Sequence, residues 1–284
     1  MLALTGPRVH AVNGTMKRQL EVDDATIRKS YRVIEKSLRD HNYLTRDEIA
    51  SALEMAGNQA VRMRLAYIVM SAELDGLICS GPRKGKQFTY ALLEERVPKV
   101  KELTREAALA ELVKRYFQSH GPATLKDFCV WSGLTMVDAR NGIELAKPRF
   151  VSEEIEGQTY WFPETKPAKQ KSPTAHLLPN YDEYFIGFKD RSAIGTMLKG
   201  TGIQRDDAAL LANIIILDGQ VIGGWRRTLK KNEVLIEASL LIGLSKAARR
   251  AVQAAADRFG QFLQLPVSLI FKDHDHEQRT SRSF

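Results

Sequence analysis

The sequence predicts a mixed α and β fold, with most of the helices in the first half of the chain and antiparallel strands in the second half. Three observations support this prediction. Apolar residues recur at helical spacing between positions 107 and 143, and alternating runs bounded by turn residues follow position 213. A segment rich in proline and lysine at 163–175 separates the two regions. The clearest apolar stripe consists of Leu109, Leu112, Val113, Tyr116 and Phe117.

Two short helices are predicted directly after this amphipathic helix. Gly121-Pro122 ends it, and Thr124 is suited to cap a second helix, with Asp127 at the third helical position facing the exposed amides. After a glycine turn, Thr135 and Asp138 repeat the same arrangement at the start of a third helix. Three helices with a tight turn between the last two indicate a helix-turn-helix.

A hairpin completes this unit, and the same order of elements is predicted earlier in the chain. Residues 149–155 and 158–162 alternate around a glycine turn, so the unit is a winged helix. Upstream, Thr45 and Glu48 form a capping-box pattern, and a hairpin is predicted at 77–92. We therefore interpret the first half of the chain as two tandem winged helices.

The C-terminal region is predicted to be an antiparallel meander with one long helix. The strands are expected at 213–217, 220–227, 233–238 and 266–271, and the alanine-rich helix at 245–263. The start of the chain, Leu2-Ala3-Leu4, is interpreted as the end of a helix that Gly6-Pro7 stops.

These elements divide the chain into six predicted regions. They are a remnant of an N-terminal unit at 1–22, a winged helix at 23–97, a winged helix at 104–163, a linker at 164–175, a β-rich domain with one long helix at 176–271, and a disordered tail at 272–284.

Composition places the chain among globular proteins: 44% of its 284 residues are hydrophobic and 27% are charged. No apolar run approaches the roughly 18 residues that a membrane span needs, and no secretory signal begins the chain, so a cytoplasmic location is expected. Cys79 and Cys129 lie in apolar patterns without metal or disulfide spacing, so we expect buried thiols. No cofactor is predicted, and we expect a monomer.

The net charge of +8 permits binding to a phosphate polymer, and the placement of the cations indicates where. Arg83, Lys84 and Lys86 surround a glycine at the tip of the first predicted hairpin, where they can follow phosphates or enter the minor groove. Because this hairpin belongs to a predicted winged helix, the sequence predicts duplex DNA as the partner. A solvated turn is the alternative for the hairpin tip.

Asn58, Gln59 and Arg62 are a second set of candidates. We expect them on the outward face of a helix that starts after Gly57, with Val61 pointing inward. Amide and guanidinium groups in that position can bind base edges, although an ordinary polar face has the same sequence.

The third helix of the second unit carries Arg140 and Asn141 as weaker candidates. Asp138 and Glu144 lie beside them, and three glutamates of the following hairpin would repel phosphate. These glutamates are Glu153, Glu154 and Glu156. We therefore expect the second unit to be mainly structural.

Arg226, Arg227, Lys230 and Lys231 concentrate cations at the end of a predicted hairpin in the C-terminal region. They could bind the DNA backbone, or they could form a charged strand edge that prevents aggregation.

Asp182 and Glu183 are the catalytic candidates, because a carboxylate can orient water and stabilise a developing positive charge. The alternative is a loop that holds domains together. His120 can interact with the C-terminal end of its helix, and we assign it no catalytic role. The acidic and histidine-rich run at 273–277 lies in the predicted tail, and no metal site is predicted.

Several long strings of the sequence resemble the winged-helix family of AlkZ-like DNA glycosylases. They are RYFQSHGPAT at 115–124, DF at 127–128, WSGL at 131–134, LDGLICSG at 74–81, LLPNYDEY at 177–184 and KDR at 189–191. The resemblance covers residues 1–271 approximately. It implies tandem winged helices on a C-terminal part that is similar to a β-barrel, and excision of alkylated or crosslinked bases from DNA.

The resemblance also implies a further N-terminal winged helix that carries a catalytic Gln-x-Gln or Gln-x-Asp motif. We expect that motif to be absent here, because the glutamines of Gln261-Phe262-Leu263-Gln264 have the wrong spacing and the wrong position. The chain is therefore expected to be a shortened and catalytically incomplete member. A winged-helix transcription regulator is the alternative function, and a fragment without independent activity is a third.

Overall fold

The computed structural model of the protein describes residues 1–99, 103–164, 172–196 and 213–273. The chain divides into two compact units, each built from two stretches. The first contains Met1–Tyr116 and Ser132–Pro148, and the second contains Phe117–Trp131 and Arg149–Phe284. The six predicted region boundaries remain predictions, and residues 165–171 of the predicted linker lie outside the described residues.

Helices dominate the chain up to residue 150. The elements are α1 (Leu2–Val12), α2 (Gly14–Gln19), α3 (Asp24–Leu38), β1 (Leu44–Thr45), α4 (Arg46–Met55), α5 (Met63–Leu74), β2 (Ile78–Ser80), β3 (Thr89–Leu92), α6 (Leu93–Arg96), α7 (Arg105–His120), α8 (Leu125–Ser132), α9 (Met136–Ala146) and a 3₁₀ turn at Lys147–Arg149. Strands dominate the remainder. These elements are β4 (Val151–Ile155), β5 (Gln158–Phe162), β6 (Ala175–Leu178), α10 (Glu183–Ile186), β7 (Ile214–Leu217), β8 (Gln220–Leu229), β9 (Val234–Leu240), α11 (Lys246–Leu263) and β10 (Val267–Asp273).

The core of the first unit lies among α3, α4, α5 and a small sheet in the order β1-β3-β2. Ile34, Leu38, Ile49, Leu53 and Ile68 are at most 1% exposed. The five apolar residues of the predicted α7 stripe are all buried as well, which confirms the helical spacing.

Three helices start as the sequence predicts, with a threonine cap and a carboxylate three residues on. Thr45 with Glu48 opens α4, and Thr135 with Asp138 opens α9, each pair exchanging hydrogen bonds in both directions. At the start of α8, the Asp127 carboxylate accepts hydrogen bonds from the backbone N–H and the hydroxyl of Thr124. These bonds satisfy amides that have no partner within the helix.

The prediction that Gly6-Pro7 stops the first helix is wrong. α1 begins at Leu2 and continues through Pro7 to Val12. Leu4 is buried, and a Cβ added to Gly6 would lie 3.2 Å from the backbone oxygen of Leu74. This close packing onto α5 stabilises the helix although Pro7 cannot donate its hydrogen bond.

The prediction of a C-terminal part similar to a β-barrel, with antiparallel strands alone, is also wrong. The described strands form an open sheet in the order β10-β9-β8-β7-β6, and β10 runs parallel to β9. α11 connects these two strands and returns the chain to the same end of the sheet, which makes the pair parallel.

α11 packs on this mixed sheet and forms the core of the second unit. Trp225, Ile236, Val252 and Ala256 are at most 4% exposed, and the Trp225 indole donates a 2.8 Å hydrogen bond to the Leu178 carbonyl. The predicted tail at 272–284 lies mostly outside the described residues, since β10 extends to Asp273.

Within the described residues, no helix has the length and apolar character that crossing a membrane requires.

Candidate functional site

The hairpin between β2 and β3 presents its cations at the surface. Arg83, Lys84 and Lys86 are all exposed, and Gly85 at the tip has a φ of +61°, a conformation that favours glycine. Two backbone hydrogen bonds of 3.1 Å between Lys84 and Gln87 close the turn. The three cations are therefore held on a short, closed loop.

Two contacts orient the side chains of this loop. The Arg83 guanidinium lies 4.4 Å from the ring centre of Phe88, which is 67% exposed, and the ring face attracts the cation. The Lys84 ammonium lies 2.5 Å from a carboxylate oxygen of Glu48. Lys84, together with the capping hydrogen bonds from Thr45, lowers the pKa of Glu48 to about 2.

The structure places Asn58, Gln59 and Arg62 in the connection before α5, because that helix begins at Met63. Asn58 is 7% exposed, and its amide nitrogen has no hydrogen-bond partner in the described part of the chain. Val61 is 58% exposed. The predicted outward face of a helix is therefore wrong, since Asn58 points inward and Val61 outward, whereas Gln59 and Arg62 are exposed in the loop.

Arg140 and Asn141 are exposed on α9, as the sequence predicts. At the start of this helix, Asp138 lies 2.5 Å from the guanidinium of Arg105. That arginine, with Thr135, lowers the pKa of Asp138 to about 2.

Every residue of the β4–β5 hairpin from Val151 to Thr159 is exposed, and its charged residues there are acidic. They are Glu153, Glu154 and Glu156.

The four cations at this end of the sheet are exposed, with Arg226 and Arg227 on β8 and Lys230 and Lys231 in the connection to β9. The Lys230 ammonium lies 2.6 Å from Glu233, and the Arg227 guanidinium lies 5.5 Å from the ring centre of Phe259. Arg226 stands opposite Glu237 in the strand register. Local acidic residues therefore balance part of the charge that Arg226, Arg227, Lys230 and Lys231 bring.

Asp182 and Glu183 have separate roles at the start of α10. Asp182 is the N-cap residue and accepts a 2.9 Å hydrogen bond from the backbone N–H of Tyr184. The Oε2 atom of Glu183 lies 2.8 Å from Nε2 of His120 and accepts a 2.9 Å hydrogen bond from the Trp131 indole. Glu183 thus belongs to a cluster of side chains, whereas the Asp182 side chain bonds to the backbone and caps α10.

This cluster forms one wall of a cavity of about 500 Å³ within the second unit. The lining residues are Ser119, His120, Gly121, Pro122, Asp127, Tyr160, Glu183, Tyr184, Phe188, Asp190, Ser192, Ala193 and Ile194. The His120 side chain is only 14% exposed, and its Nδ1 atom lies 2.8 Å from the Ser119 hydroxyl. Sequence reasoning missed this role of His120, although it lies directly before the Gly-Pro that ends α7.

Asp127 and Gly187 position the loop that carries Phe188 and Asp190, two further lining residues. The buried Asp127 carboxylate accepts hydrogen bonds from the backbone N–H groups of Lys189 and Asp190, at 2.8 and 3.3 Å. A Cβ added to Gly187 would lie 2.9 Å from the His120 ring. The loop can therefore approach the imidazole closely because residue 187 lacks a side chain.

The predictions about the Gln-x-Asp motif and about the acidic and histidine-rich run both fall on residues that the structure does not describe. The expectation that the Gln-x-Asp motif is absent is wrong as a statement about the sequence, since Gln204-Arg205-Asp206 has that spacing; these residues lie outside the described ranges. The run at 274–277 also lies outside them. The described residues contain no group of three or more His, Cys, Asp or Glu that could hold a metal.

The first compact unit thus carries an exposed cationic hairpin, and the second carries a cavity with aromatic and carboxylate lining residues. The family model described as DNA glycosylase AlkZ-like matches residues 1–262. The chain therefore belongs to this family.

Two comparisons with individual proteins agree with this assignment. The chain is 22% identical over 202 residues to the interstrand DNA cross-link repair glycosylase of Streptomyces sahachiroi, and the match covers 64% of this chain and 53% of that protein. The chain thus spans about half the length of this relative. The solved structure of the DNA glycosylase AlkZ of the same organism is similar in fold, with a TM-score of 0.70 and 18% identity, over 95% of this chain and 76% of that chain.

Proposed function

We propose that this chain binds duplex DNA through its β2–β3 hairpin and takes part in the repair of alkylated or crosslinked bases. The observation that carries this proposal is the closed loop on which Arg83, Lys84 and Lys86 are exposed together. A loop of this size with three cations can lie along a phosphate backbone, and each contact releases condensed counterions.

Residues 23–97 and 104–163 are proposed to act as winged helices in this binding. The first has a helix pair, α4 and α5, directly before a cationic hairpin. The second has α8 and α9 before an acidic hairpin. The winged helix at 23–97 is therefore proposed as the principal DNA contact, and the winged helix at 104–163 as mainly structural in DNA binding, with Arg140 and Asn141 as weaker contacts.

We also propose that base release by this chain alone is weak. Asp182 caps α10, and Glu183 is held by His120 and Trp131. A glycosylase requires a group placed beside the sugar of a flipped nucleotide, and we propose that neither carboxylate is that group.

The test compares binding and base release on matched duplexes with and without N7-methylpurines. We expect the chain to bind both duplexes, to prefer the methylated one, and to release little or no methylated base. Absence of duplex binding at low salt would contradict the proposal. Selection from random duplexes separates the alternative function, since a transcription regulator would enrich one operator sequence. A monomer and a cytoplasmic location remain predictions.

A further inference from the structure

We propose that the cavity beside Glu183 binds a single planar, positively charged base, with the Glu183 carboxylate as the partner of that charge. This inference rests on the proposed function, because the base would be flipped from a bound duplex. It assigns a base site to the second unit, distinct from the cationic hairpin that is proposed to hold the DNA backbone.

The size and the walls of the cavity fit a flat heterocycle. Its volume of about 500 Å³ is in the range of small-molecule pockets. Tyr160, Tyr184 and Phe188 contribute aromatic surface, and the ring centres of Phe188 and His120 lie 5.7 Å apart. Burial raises the pKa of Tyr160 and of Tyr184, so both phenols stay neutral. Neutral aromatic faces stack well on a base and attract a cationic one.

The carboxylates that line the cavity disfavour a phosphate or another anionic ligand. Three carboxylates, those of Asp127, Glu183 and Asp190, line the cavity, and none of the described lining residues is lysine or arginine. Asp127 is occupied by four hydrogen bonds from the chain. Asp190 accepts one from the backbone of Ser192. An anionic ligand would meet repulsion here, whereas a cationic ring would be attracted.

Glu183 is positioned for this role and is reachable. His120 and Trp131 both contact its Oε2 atom, which fixes the direction of the carboxylate, while 61% of the side chain is exposed. A carboxylate that is held in place by neighbouring groups needs little reorganisation when a charged ring arrives.

The first experiment titrates the full chain with 7-methylguanosine, whose ring carries a positive charge, and with guanosine, which has the same shape without it. The ¹⁵N-labelled indole N–H of Trp131 reports on the site, because it is bonded to Glu183. We expect this signal to shift with 7-methylguanosine and to respond far less to guanosine. Equal responses to the two nucleosides, or no response to either, would overturn the proposal.

Three variants test the assigned residues. Glu183→Gln keeps an acceptor oxygen and removes the charge, so binding of 7-methylguanosine should weaken about fivefold while guanosine is unaffected. Glu154→Gln makes the same change on the exposed β4–β5 hairpin and should have no effect. Phe188→Ala should weaken the binding of both nucleosides about tenfold, because the ring that stacks on the base is lost. If Glu183→Gln left the affinity for 7-methylguanosine unchanged, as Glu154→Gln is expected to do, the proposal would fail.

A duplex experiment separates a flipped base from a soluble modified nucleoside. Glu183→Gln should reduce the preference for methylated over undamaged duplex, because it removes the carboxylate that attracts the charged base. Nucleoside discrimination without any preference for methylated duplex would overturn the flipped-base inference. Loss of all duplex binding, with nucleoside discrimination retained, would instead contradict the proposed function.

Discussion

The hairpins β2–β3 and β4–β5 each follow a pair of helices and have opposite charge. Arg83, Lys84 and Lys86 are exposed on the first. The exposed charges from Val151 to Thr159 of the second belong to three glutamates, at 153, 154 and 156. The same order of elements thus produces one surface that attracts phosphate and one that repels it.

The two hairpins also differ in how they are attached. In the first, Lys84 pairs with Glu48, so an ion pair at the surface connects the loop to the start of α4. In the second, backbone hydrogen bonds between Ala123 and Trp161 hold β5 beside the end of α7. The order of elements therefore predicts that a hairpin forms. The side chains of the hairpin and the contacts that attach it decide whether it can bind DNA.

The largest effect is expected from Gly121→Ala, which should break the attachment of the second hairpin. The added Cβ would lie 2.5 Å from the Phe117 carbonyl oxygen and 3.0 Å from that of Trp161, both backbone atoms that cannot yield easily. We expect a loss of about 2 kcal/mol in the free energy of unfolding. Denaturant unfolding measures this loss. Gly243→Ala, where an added Cβ meets nothing within 4 Å, is the control, and equal stability of the two variants would contradict the packing argument.

A charge reversal tests whether acidity alone keeps the second hairpin from DNA. Glu153→Lys with Glu154→Lys should raise the affinity for undamaged duplex about tenfold at low salt, because four units of charge change on an exposed strand. Fluorescence anisotropy with a labelled duplex measures the gain. Unchanged affinity would show that this hairpin stays away from the duplex whatever its charge.

A smaller effect is expected from Phe88→Ala on the first hairpin. Removal of the ring leaves Arg83 without its cation–π partner, so the guanidinium loses order and duplex affinity should fall about threefold. Phe262→Ala removes a ring of similar exposure from α11 and serves as the control. A duplex affinity equal to that of the control variant would remove Phe88 from the interface.

The smallest effect concerns the titration of Glu48, the carboxylate that anchors the first hairpin. Its pKa of about 2 lies below the ordinary value of 4.5, so its contribution to stability is complete above pH 4.5 and is lost as the pH falls from 4.5 towards 2. Lys84→Ala should raise this pKa, since Lys84 is its main cause. NMR titration of the Glu48 carboxyl carbon measures the change, and an unaltered pKa would mean that Thr45 alone sets the value.

Local features of the fold were predictable from sequence. The threonine caps at 45 and 135 and the apolar stripe of α7 are confirmed, because such signals depend on neighbouring residues alone. The start of α5 was not predictable, because the segment from Asn58 to Arg62 adopts a loop that buries the Asn58 side chain. Arg62 there has a φ of +48°, which no propensity indicates.

Long-range features were the least predictable. The contact of His120 with Glu183 joins residues 63 positions apart, so no local pattern contains it. From sequence, Glu183 is a catalytic candidate and His120 has no catalytic role, although the two side chains belong to one cluster. The parallel pairing of β10 with β9 was missed for a similar reason, since it depends on how α11 crosses the sheet.

The most direct test of DNA binding by the first hairpin is the salt dependence of duplex affinity for the triple variant Arg83→Ala, Lys84→Ala and Lys86→Ala. The control variant, Arg28→Ala, Arg32→Ala and Lys36→Ala, removes the same charge from one exposed face of α3. We predict that the hairpin variant binds at least about tenfold more weakly, with a salt slope lower by about 2, while the control changes little. Equal losses in both variants would contradict the account, because net charge rather than the hairpin would then hold the DNA.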